Sequence, residues 1–266
     1  MVLLHKLILP LAAACIPVLT AQQPAATAVA HNEPNRQESV VPAARTEPRQ
    51  QLTPEMRGDI LMARKQYREA VDVYSESKQL SPALVNKIGI AYHQMLEIDL
   101  ARKHYERAIK LDSKYSEAIN NLGTVFYAKR SFRRAISQYN KALKLSPYSA
   151  SIYSNLGTAY FARKKYEQAA EAYDKAVKLD PDVFERRSSH GVLLQERNVQ
   201  ERAKFHFYMA KTYAKAGAIE RALLYIRKSL EEGFKERDKF KQDPEFAKLQ
   251  ELPEFVQLMA LEPRVL

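Results

Sequence analysis

Apolar residues recur every three to four positions along most of the chain, which is the spacing of one buried face of an α-helix. They fall into paired segments separated by a short polar break. In one such pair the first face carries Ile119, Leu122 and Phe126, and the second carries Tyr139 and Ala142. The pattern therefore predicts an all-α chain built from helix-turn-helix pairs.

The helical pairs repeat with a period of 34 residues, shown first by Gly89, Gly123 and Gly157. Three more residue classes keep the same step, and they are Ala101, Ala135 and Ala169; Tyr105, Tyr139 and Tyr173; and Ala108, Ala142 and Ala176. A glycine inside a helix costs about 1 kcal/mol relative to alanine, so a repeated glycine needs a compensating contact. We expect the small Gly and Ala residues to let two helix backbones approach closely. Four residue classes in one register indicate internal repeats rather than unrelated hairpins.

With these residues the chain resembles the tetratricopeptide repeat family, whose 34-residue units carry small residues, aromatics and a terminal proline at these spacings. The resemblance implies a right-handed superhelical α-solenoid. Residues 82–115, 116–149 and 150–183 fit the family pattern well, and residues 51–81 fit it more loosely because one connecting loop is three residues short. The tryptophan that is usual in the family is absent, since the chain contains no Trp.

Two registers compete beyond Pro181. One continues the 34-residue step and makes Ala203–Lys215 a second helix, and the other makes it the first helix of a unit over 203–236. We prefer the latter because it explains a turn at Gly217 and the apolar stripe that follows it. The solenoid then spans 51–236 with about five repeats and an interruption at 184–202, which we predict to be a loop with a short helix around 190–196. Two Pro-Glu-Phe starts predict a C-terminal helical cap over 237–266.

The first fifty residues read as a targeting segment followed by a tether. Residues 1–21 predict a signal peptide, because a weakly basic start precedes an uncharged run of 15 residues at 7–21, shorter than the ~20 needed to span a bilayer. Cleavage after Ala21 would give a periplasmic or secreted protein. The alternative is a membrane-anchored lipoprotein, because Leu11–Cys15 resembles a lipoprotein cleavage box with Cys15 as the acylated residue. Residues 22–50 are rich in Ala, Pro and Gln and predict a disordered tether.

The composition argues against several classes of functional site. Only 7 of the 266 residues are glycine, which argues against a Gly-rich nucleotide loop, and the single cysteine excludes an internal disulfide framework. The 6 His residues are scattered, and no nucleophile, base and acid fall at a recognisable spacing. We therefore expect no enzymatic activity, no metal and no cofactor.

The net charge of +11 has two interpretations. Three basic pairs, at 64–65, 129–130 and 163–164, fall at the turn between the two helices of a unit, so stacking would gather them into a ridge; we call Arg64, Lys65, Lys129, Arg130, Arg163 and Lys164 the basic ridge. They form either a solvated surface or a binding surface for anionic polymers or acidic proteins. No specific nucleic acid is expected, because basic and aromatic residues do not interleave.

A stripe of polar and aromatic residues on the first helices is the candidate binding groove. It comprises Asn86, Ile90 and His93, then Asn120, Asn121, Thr124 and Tyr127, then Ser154, Asn155, Thr158 and Phe161. The resemblance implies that this stripe faces the concave side, where the family binds extended peptides. Only Lys87 stands in for the basic set that holds a terminal carboxylate in some members. The sequence thus predicts a non-catalytic scaffold or adaptor for an internal, partly apolar protein or peptide segment.

Overall fold

The computed structural model describes residues 52–185 and 198–261, and within them every regular element is a helix. The first eight are α1 (Pro54–Ala63), α2 (Tyr67–Ser75), α3 (Pro82–Gln94), α4 (Ile98–Leu111), α5 (Ser116–Ala128), α6 (Phe132–Leu145), α7 (Ala150–Ala162) and α8 (Tyr166–Leu179). The later ones are α9 (Val199–Lys215), α10 (Ile219–Glu231), α11 (Lys239–Gln242), a 3₁₀ segment at Pro244–Leu249, and α12 (Pro253–Ala260). The predicted all-α fold is confirmed across the described residues.

Helices α1 to α8 form four antiparallel hairpins that stack in chain order. Within a hairpin the start of the first helix lies beside the end of the second, as Ser146 Oγ donates to Ser116 Oγ at 2.7 Å. Between hairpins, the second helix of one packs on the first helix of the next, and Lys129 after α5 pairs with Asp99 at the start of α4. The turns that join the two helices of each hairpin therefore line up along one edge of the stack.

Each stacked hairpin presses a tyrosine ring against a glycine. A Cβ atom added to Gly123 would lie 2.5 Å from Tyr139 Cε1, and one added to Gly157 would lie 2.5 Å from Tyr173 Cδ1. The first two hairpins repeat the contact through Gly58 with Tyr74 and Gly89 with Tyr105. A Cβ atom added to Gly157 would also lie 3.2 Å from the backbone oxygen of Ala169, so the expected close approach of two backbones is present there, while the nearest atoms at all four glycines belong to the tyrosine. The space they leave is filled by the aromatic ring of the partner helix.

The turn inside every hairpin has the same hydrogen bonds. After α5, the Arg130 amide donates to Tyr127 O and the Ser131 amide donates to Phe126 O, both at 2.8 Å. This pair of bonds is the Schellman motif, which requires one residue in the left-handed backbone conformation, most often Gly. That residue is Lys65, Leu96, Arg130 and Lys164 in the four stacked hairpins, with φ between 56° and 64°, and Gly217 after α9, with φ of 76°.

Helices α9 and α10 form a fifth hairpin, in which residues 203–215 belong to the first helix, as in the preferred register. Helix α9 begins at Val199 rather than at 203, because the Asn198 side chain accepts hydrogen bonds from the amides of Gln200 and Glu201 and caps the helix. The end of the predicted interruption at 184–202 is therefore helical. The short helix predicted around 190–196 falls within 186–197, outside the described residues.

This fifth hairpin is reversed relative to the four before it. Tyr166, at the start of α8, donates its hydroxyl to Glu201 Oε2 near the start of α9 at 3.3 Å. Further along, Asp174 Oδ2 of α8 lies 3.7 Å from Lys215 Nζ at the end of α9. Helices α8 and α9 thus run in the same direction, whereas neighbouring helices in the regular stack run in opposite directions. The turn of the fifth hairpin lies at the other edge of the stack.

Aromatic side chains fasten the C-terminal segment onto α9. The ring of Phe207 stacks on Phe234 with centroids 4.6 Å apart, and Phe240 and Phe246 lie at 5.2 Å and 5.9 Å from it. All four side chains are buried. Both Pro-Glu-Phe starts begin a helical element, the first a 3₁₀ segment and the second α12.

The signal peptide predicted at 1–21 and the tether predicted at 22–50 lie outside the described residues. Across 52–185 and 198–261, none of the helices combines the length and the apolar character that crossing a membrane requires.

Candidate functional site

Asparagine side chains join the first helices of the second, third and fourth hairpins. Asn121 Nδ2 donates to Asn86 Oδ1 at 3.0 Å, and Asn155 Nδ2 donates to Asn120 Oδ1 at 3.0 Å. The two bonds are linked because Asn120 Nδ2 donates to Asn121 Oδ1 at 3.3 Å. All four side chains are buried, and we call them the asparagine ladder. A buried amide that is fully hydrogen-bonded fixes the register of the helices it connects, because any slip leaves polar groups unpaired.

The same register continues into the first hairpin as an ion pair. Lys87 follows Asn86 in the chain, and its Nζ lies 2.8 Å from Glu55 Oε1 and 2.7 Å from Asp59 Oδ2. Partial burial lowers the pKa of Lys87, but the hydrogen bonds to Asp59 and Glu55 outweigh that effect and the net shift is upward. Asp59 also accepts a hydrogen bond from the Tyr74 hydroxyl at 2.6 Å. This end of the row therefore carries two carboxylates and one ammonium group.

Hydroxyl groups and one histidine fill the space beside the ladder. Thr124 Oγ1 donates to Asn121 O at 2.7 Å and lies 3.4 Å from His93 Nδ1. The same ring nitrogen lies 3.5 Å from the Tyr105 hydroxyl. Burial lowers the pKa of His93, so this imidazole is neutral at pH 7 and can exchange hydrogen bonds with both hydroxyls.

Most of the predicted groove residues are buried in contacts between neighbouring first helices. The buried ones are Asn86, Ile90, Asn120, Asn121, Thr124, Ser154, Asn155, Thr158 and Phe161, whereas His93 and Tyr127 are half-buried. The expectation that these side chains are free of packing is therefore wrong for the buried nine. Neighbouring first helices pack together along this stripe, and their polar groups bond to one another.

Solvent reaches the stripe at its margins. Lys87, His93 and Tyr127 are partly exposed, and Glu55 and Asp59 are exposed. Sequence reasoning named His93 and Tyr127 but missed the two acids and treated Lys87 only as a poor substitute for a larger set. The signal that could have found them is the spacing: Lys87 lies 32 residues after Glu55, and both asparagine pairs lie 35 apart. The difference of three is the short loop of the first unit.

The groove changes character at the fourth hairpin. Phe161 meets Tyr166, Phe205 and Tyr208 with ring centroids 5.2 Å, 5.6 Å and 6.3 Å away. Phe205 and Tyr208 come from the reversed helix α9. Phe161 is therefore part of an aromatic interface inside the chain and not an open anchor for a ligand.

The basic ridge lies on the edge where the four turns line up. Lys129 pairs with Asp99, and Lys164 Nζ lies 3.9 Å from Glu201 Oε1. The turn of the second hairpin interrupts the ridge, because it carries Leu96 where the others carry Lys or Arg. An anionic partner for this ridge stays a prediction.

Across the two described stretches, no three His, Cys, Asp or Glu side chains lie close enough together to hold a metal ion.

Comparisons with known proteins agree with the repeat pattern. A family model of the tetratricopeptide repeat matches residues 86–150 and again residues 120–183. No curated protein matches the sequence.

Solved structures with similar folds are distant in sequence. MamA from Desulfovibrio magneticus RS-1 is 21% identical, with 65% of this chain and 89% of that chain covered and a TM-score of 0.45. YrrB, described as a TPR protein with an unusual peptide-binding site, is 24% identical over 47% of this chain and 66% of its own, with a TM-score of 0.42. The first TPR of Spaghetti (RPAP3), solved with an HSP90 peptide, is 26% identical over 40% and 83%, with a TM-score of 0.38.

Proposed function

The chain belongs to the tetratricopeptide repeat family, and we propose that it is a non-catalytic scaffold or adaptor that binds a protein or peptide segment along its first helices. The observation that carries the proposal is the asparagine ladder together with the accessible residues at its margin. Buried amide bonds hold α3, α5 and α7 in register, so the groups beside them keep fixed positions. A surface that is ordered before binding loses less entropy when a ligand docks.

The asparagines support this surface and do not read the ligand. Asn120 uses both its carbonyl oxygen and its amide nitrogen within the ladder. Recognition then falls to Lys87, His93 and Tyr127, together with the two carboxylates beside Lys87.

The charges at this surface indicate the chemistry of the segment. The Lys87 ammonium group already has two carboxylate partners, so it is a weak receptor for a free C-terminus. Glu55, Asp59 and Lys87 leave one excess negative charge at the N-terminal end of the row. We therefore expect an internal segment that presents apolar side chains towards Tyr127 and a Lys or Arg towards Glu55 and Asp59.

A pull-down with the full chain from an extract of the source cells identifies the partner, and calorimetry with the retained segment tests the site. The double variant Glu55→Gln and Tyr127→Ala is expected to weaken binding about tenfold or more, because it removes a carboxylate offered to the Lys or Arg of the segment and the ring offered to its apolar side chains. The matched control is Glu171→Gln with Tyr148→Ala, which changes the same residue types at exposed positions of α8 and of the loop after α6.

Equal affinity of the two double variants would place the binding site elsewhere. A normal far-ultraviolet spectrum and melting curve for both variants show that a loss of affinity is not a loss of fold.

We also propose that the scaffold works outside the cytoplasm, in the cell envelope or beyond it. The support is the sequence of residues 1–21 alone. The intact mass of the protein isolated from its source cells tests the idea. Loss of residues 1–21 supports a secreted or periplasmic protein, a diacylated N-terminal Cys15 supports a lipoprotein, and an uncleaved chain contradicts export by a cleaved signal.

A further inference from the structure

The left-handed turn positions carry side chains that the fold does not need. In a Schellman turn glycine adopts positive φ without a steric penalty, whereas a residue with a Cβ atom is strained there. Lys65, Leu96, Arg130 and Lys164 all accept this strain at the same edge. The fifth hairpin, whose turn lies at the other edge, has Gly217. Retained strain at an exposed position points to a function for the side chain.

Charge is concentrated at the same edge. We define the turn edge as residues 64–69, 95–100, 129–134 and 163–168, which are the four turns with the first residues of each following helix. It holds ten basic and four acidic residues, so a net charge of +6 out of the +11 of the whole chain lies here. Within the described residues Lys65 and Arg130 form no ion pair, and Lys164 has only a distant one. These cations are available to an external partner.

An apolar side chain stands between the basic turns, in the turn at 95–100, whose charged residues are the acids Glu97 and Asp99. Leu96 is 78% exposed, and Leu100, one helical turn later, is 37% exposed. Single exposed leucines are common on protein surfaces, but Leu96 combines exposure with a left-handed backbone, which a bulky residue rarely adopts. A partner that is both anionic and apolar would favour the leucines and the cations together. A soluble polyanion offers no apolar phase, whereas the surface of an anionic lipid bilayer offers both.

We propose that the turn edge is a peripheral membrane-binding surface for anionic lipids. The cations at the turns contact the headgroups, and Leu96 enters the boundary between headgroups and acyl chains. The edge carries one clearly inserted side chain and several charges, so attachment is reversible and falls steeply with salt. The proposal is independent of the peptide site, because the residues assigned to that site, Glu55, Asp59, Lys87, His93 and Tyr127, all lie outside the turn edge.

Vesicle co-sedimentation with the full chain tests this surface, using phosphatidylcholine vesicles with and without phosphatidylglycerol. The triple variant Lys65→Gly, Arg130→Gly and Lys164→Gly removes three charges while relieving left-handed strain, so it keeps the fold. Each basic side chain near an anionic surface contributes roughly fivefold to adsorption, so we expect a loss on the order of 100-fold. The control is Lys110→Gln, Lys114→Gln and Lys144→Gln, which removes the same charge at the opposite ends of the hairpins and is expected to bind normally.

The variant Leu96→Asn separates a bilayer from a soluble polyanion. Asparagine tolerates the left-handed conformation and leaves the charge unchanged. We expect several-fold weaker binding to phosphatidylglycerol vesicles and unchanged binding to heparin. Vesicle binding that ignores Leu96→Asn, with heparin bound equally well, would overturn the proposal in favour of a soluble anionic polymer. Absence of binding to anionic vesicles by the unaltered chain would overturn it directly.

Discussion

Residues 52–185 contain the four stacked hairpins, and residues 198–261 contain the fifth hairpin and the C-terminal segment. The two regions use different side chains where one hairpin contacts the next. In the first region polar contacts cross from one hairpin to the next at every step, as the bonds from Asn121 to Asn86 and from Asn155 to Asn120 show. In the second region rings dominate the contact, with Phe205 and Tyr208 of α9 packed against Phe161, and polar pairs such as Tyr166 with Glu201 lie beside them. A hydrogen bond between amides constrains both direction and register, whereas ring-to-ring contacts tolerate several arrangements.

This difference accompanies a change in the direction of the hairpins. Every hairpin in the regular stack repeats the direction of the one before it, and the asparagine ladder and the Lys87 ion pairs link equivalent positions of successive first helices. Helix α9 instead runs along α8 in the same direction. Polar contacts between equivalent positions therefore mark the regular part of the fold, whereas the contact with α9 combines aromatic burial with polar pairs of its own.

The largest expected effect comes from filling the glycine site of the regular stack. Gly123→Arg places a Cβ atom where Tyr139 Cε1 lies 2.5 Å away and also buries a charge. We expect a loss of about 4–6 kcal/mol in the free energy of unfolding, measured in guanidinium, with damage spreading to neighbouring hairpins. A cooperative transition at the unaltered midpoint would remove the packing role of this glycine.

Truncating a side chain in the aromatic region should destabilise the chain more locally. Phe246→Ala removes a fully buried ring from the cluster around Phe207, and we expect a loss of about 3–5 kcal/mol. Hydrogen exchange followed by mass spectrometry should show faster exchange in α9 to α12 and little change in α3 to α6. Uniform acceleration along the whole chain would mean that the two regions unfold as one unit.

Breaking the ladder tests its polar character. Asn120→Ala removes the hydrogen bond from Asn155 Nδ2 and the hydrogen bond to Asn121 Oδ1, and losing the partner of a buried polar group costs about 1–3 kcal/mol. We expect a loss of about 2–3 kcal/mol by urea unfolding. Asn140→Ala on the exposed side of α6 is the matched control, with a change within about 0.5 kcal/mol. Similar losses in the two variants would deny the ladder a stabilising role.

The smallest effect on stability is expected at the turns. Exchanging Lys and Gly should stabilise the chain at one edge of the stack and destabilise it at the other. Lys65→Gly should stabilise the chain by up to about 1 kcal/mol, and Gly217→Lys should destabilise it by about 1 kcal/mol, because both positions have positive φ. Differential scanning calorimetry of the two variants gives the shifts in Tm. A destabilising Lys65→Gly would show that the lysine has a structural role at its turn.

The hairpins could be predicted from the sequence because their determinants are local and periodic. The 34-residue step of Gly89, Gly123 and Gly157 marks where each tyrosine packs, and the same step sets the length of both helices. The Gly217 turn was visible for the same reason, since glycine is the usual residue at that position. The equivalent turns at Lys65, Leu96, Arg130 and Lys164 give no such signal, because side chains there do not mark a left-handed backbone.

The use of the candidate groove could not be predicted, because it depends on contacts between repeats. Asn120 at an exposed position would be a ligand contact, and the same residue in the ladder is structural. Only burial distinguishes the two cases, and burial follows from how closely α5 packs on α3 and α7. The reversed direction of α9 could not be predicted either, because the length of the interruption before it does not determine the direction of the next helix.

The uniform turn geometry has a consequence for protein engineering. Leu, Lys and Arg all occupy the left-handed position without altering the two hydrogen bonds of the turn, so the identity of this residue is uncoupled from the core. Residues 65, 96, 130 and 164 are therefore equivalent surface positions, one in each hairpin, at which side chains can be replaced one at a time. Acidic residues, aromatic residues or cysteines for labelling could be placed at these positions, while the asparagine ladder keeps the spacing between successive hairpins constant.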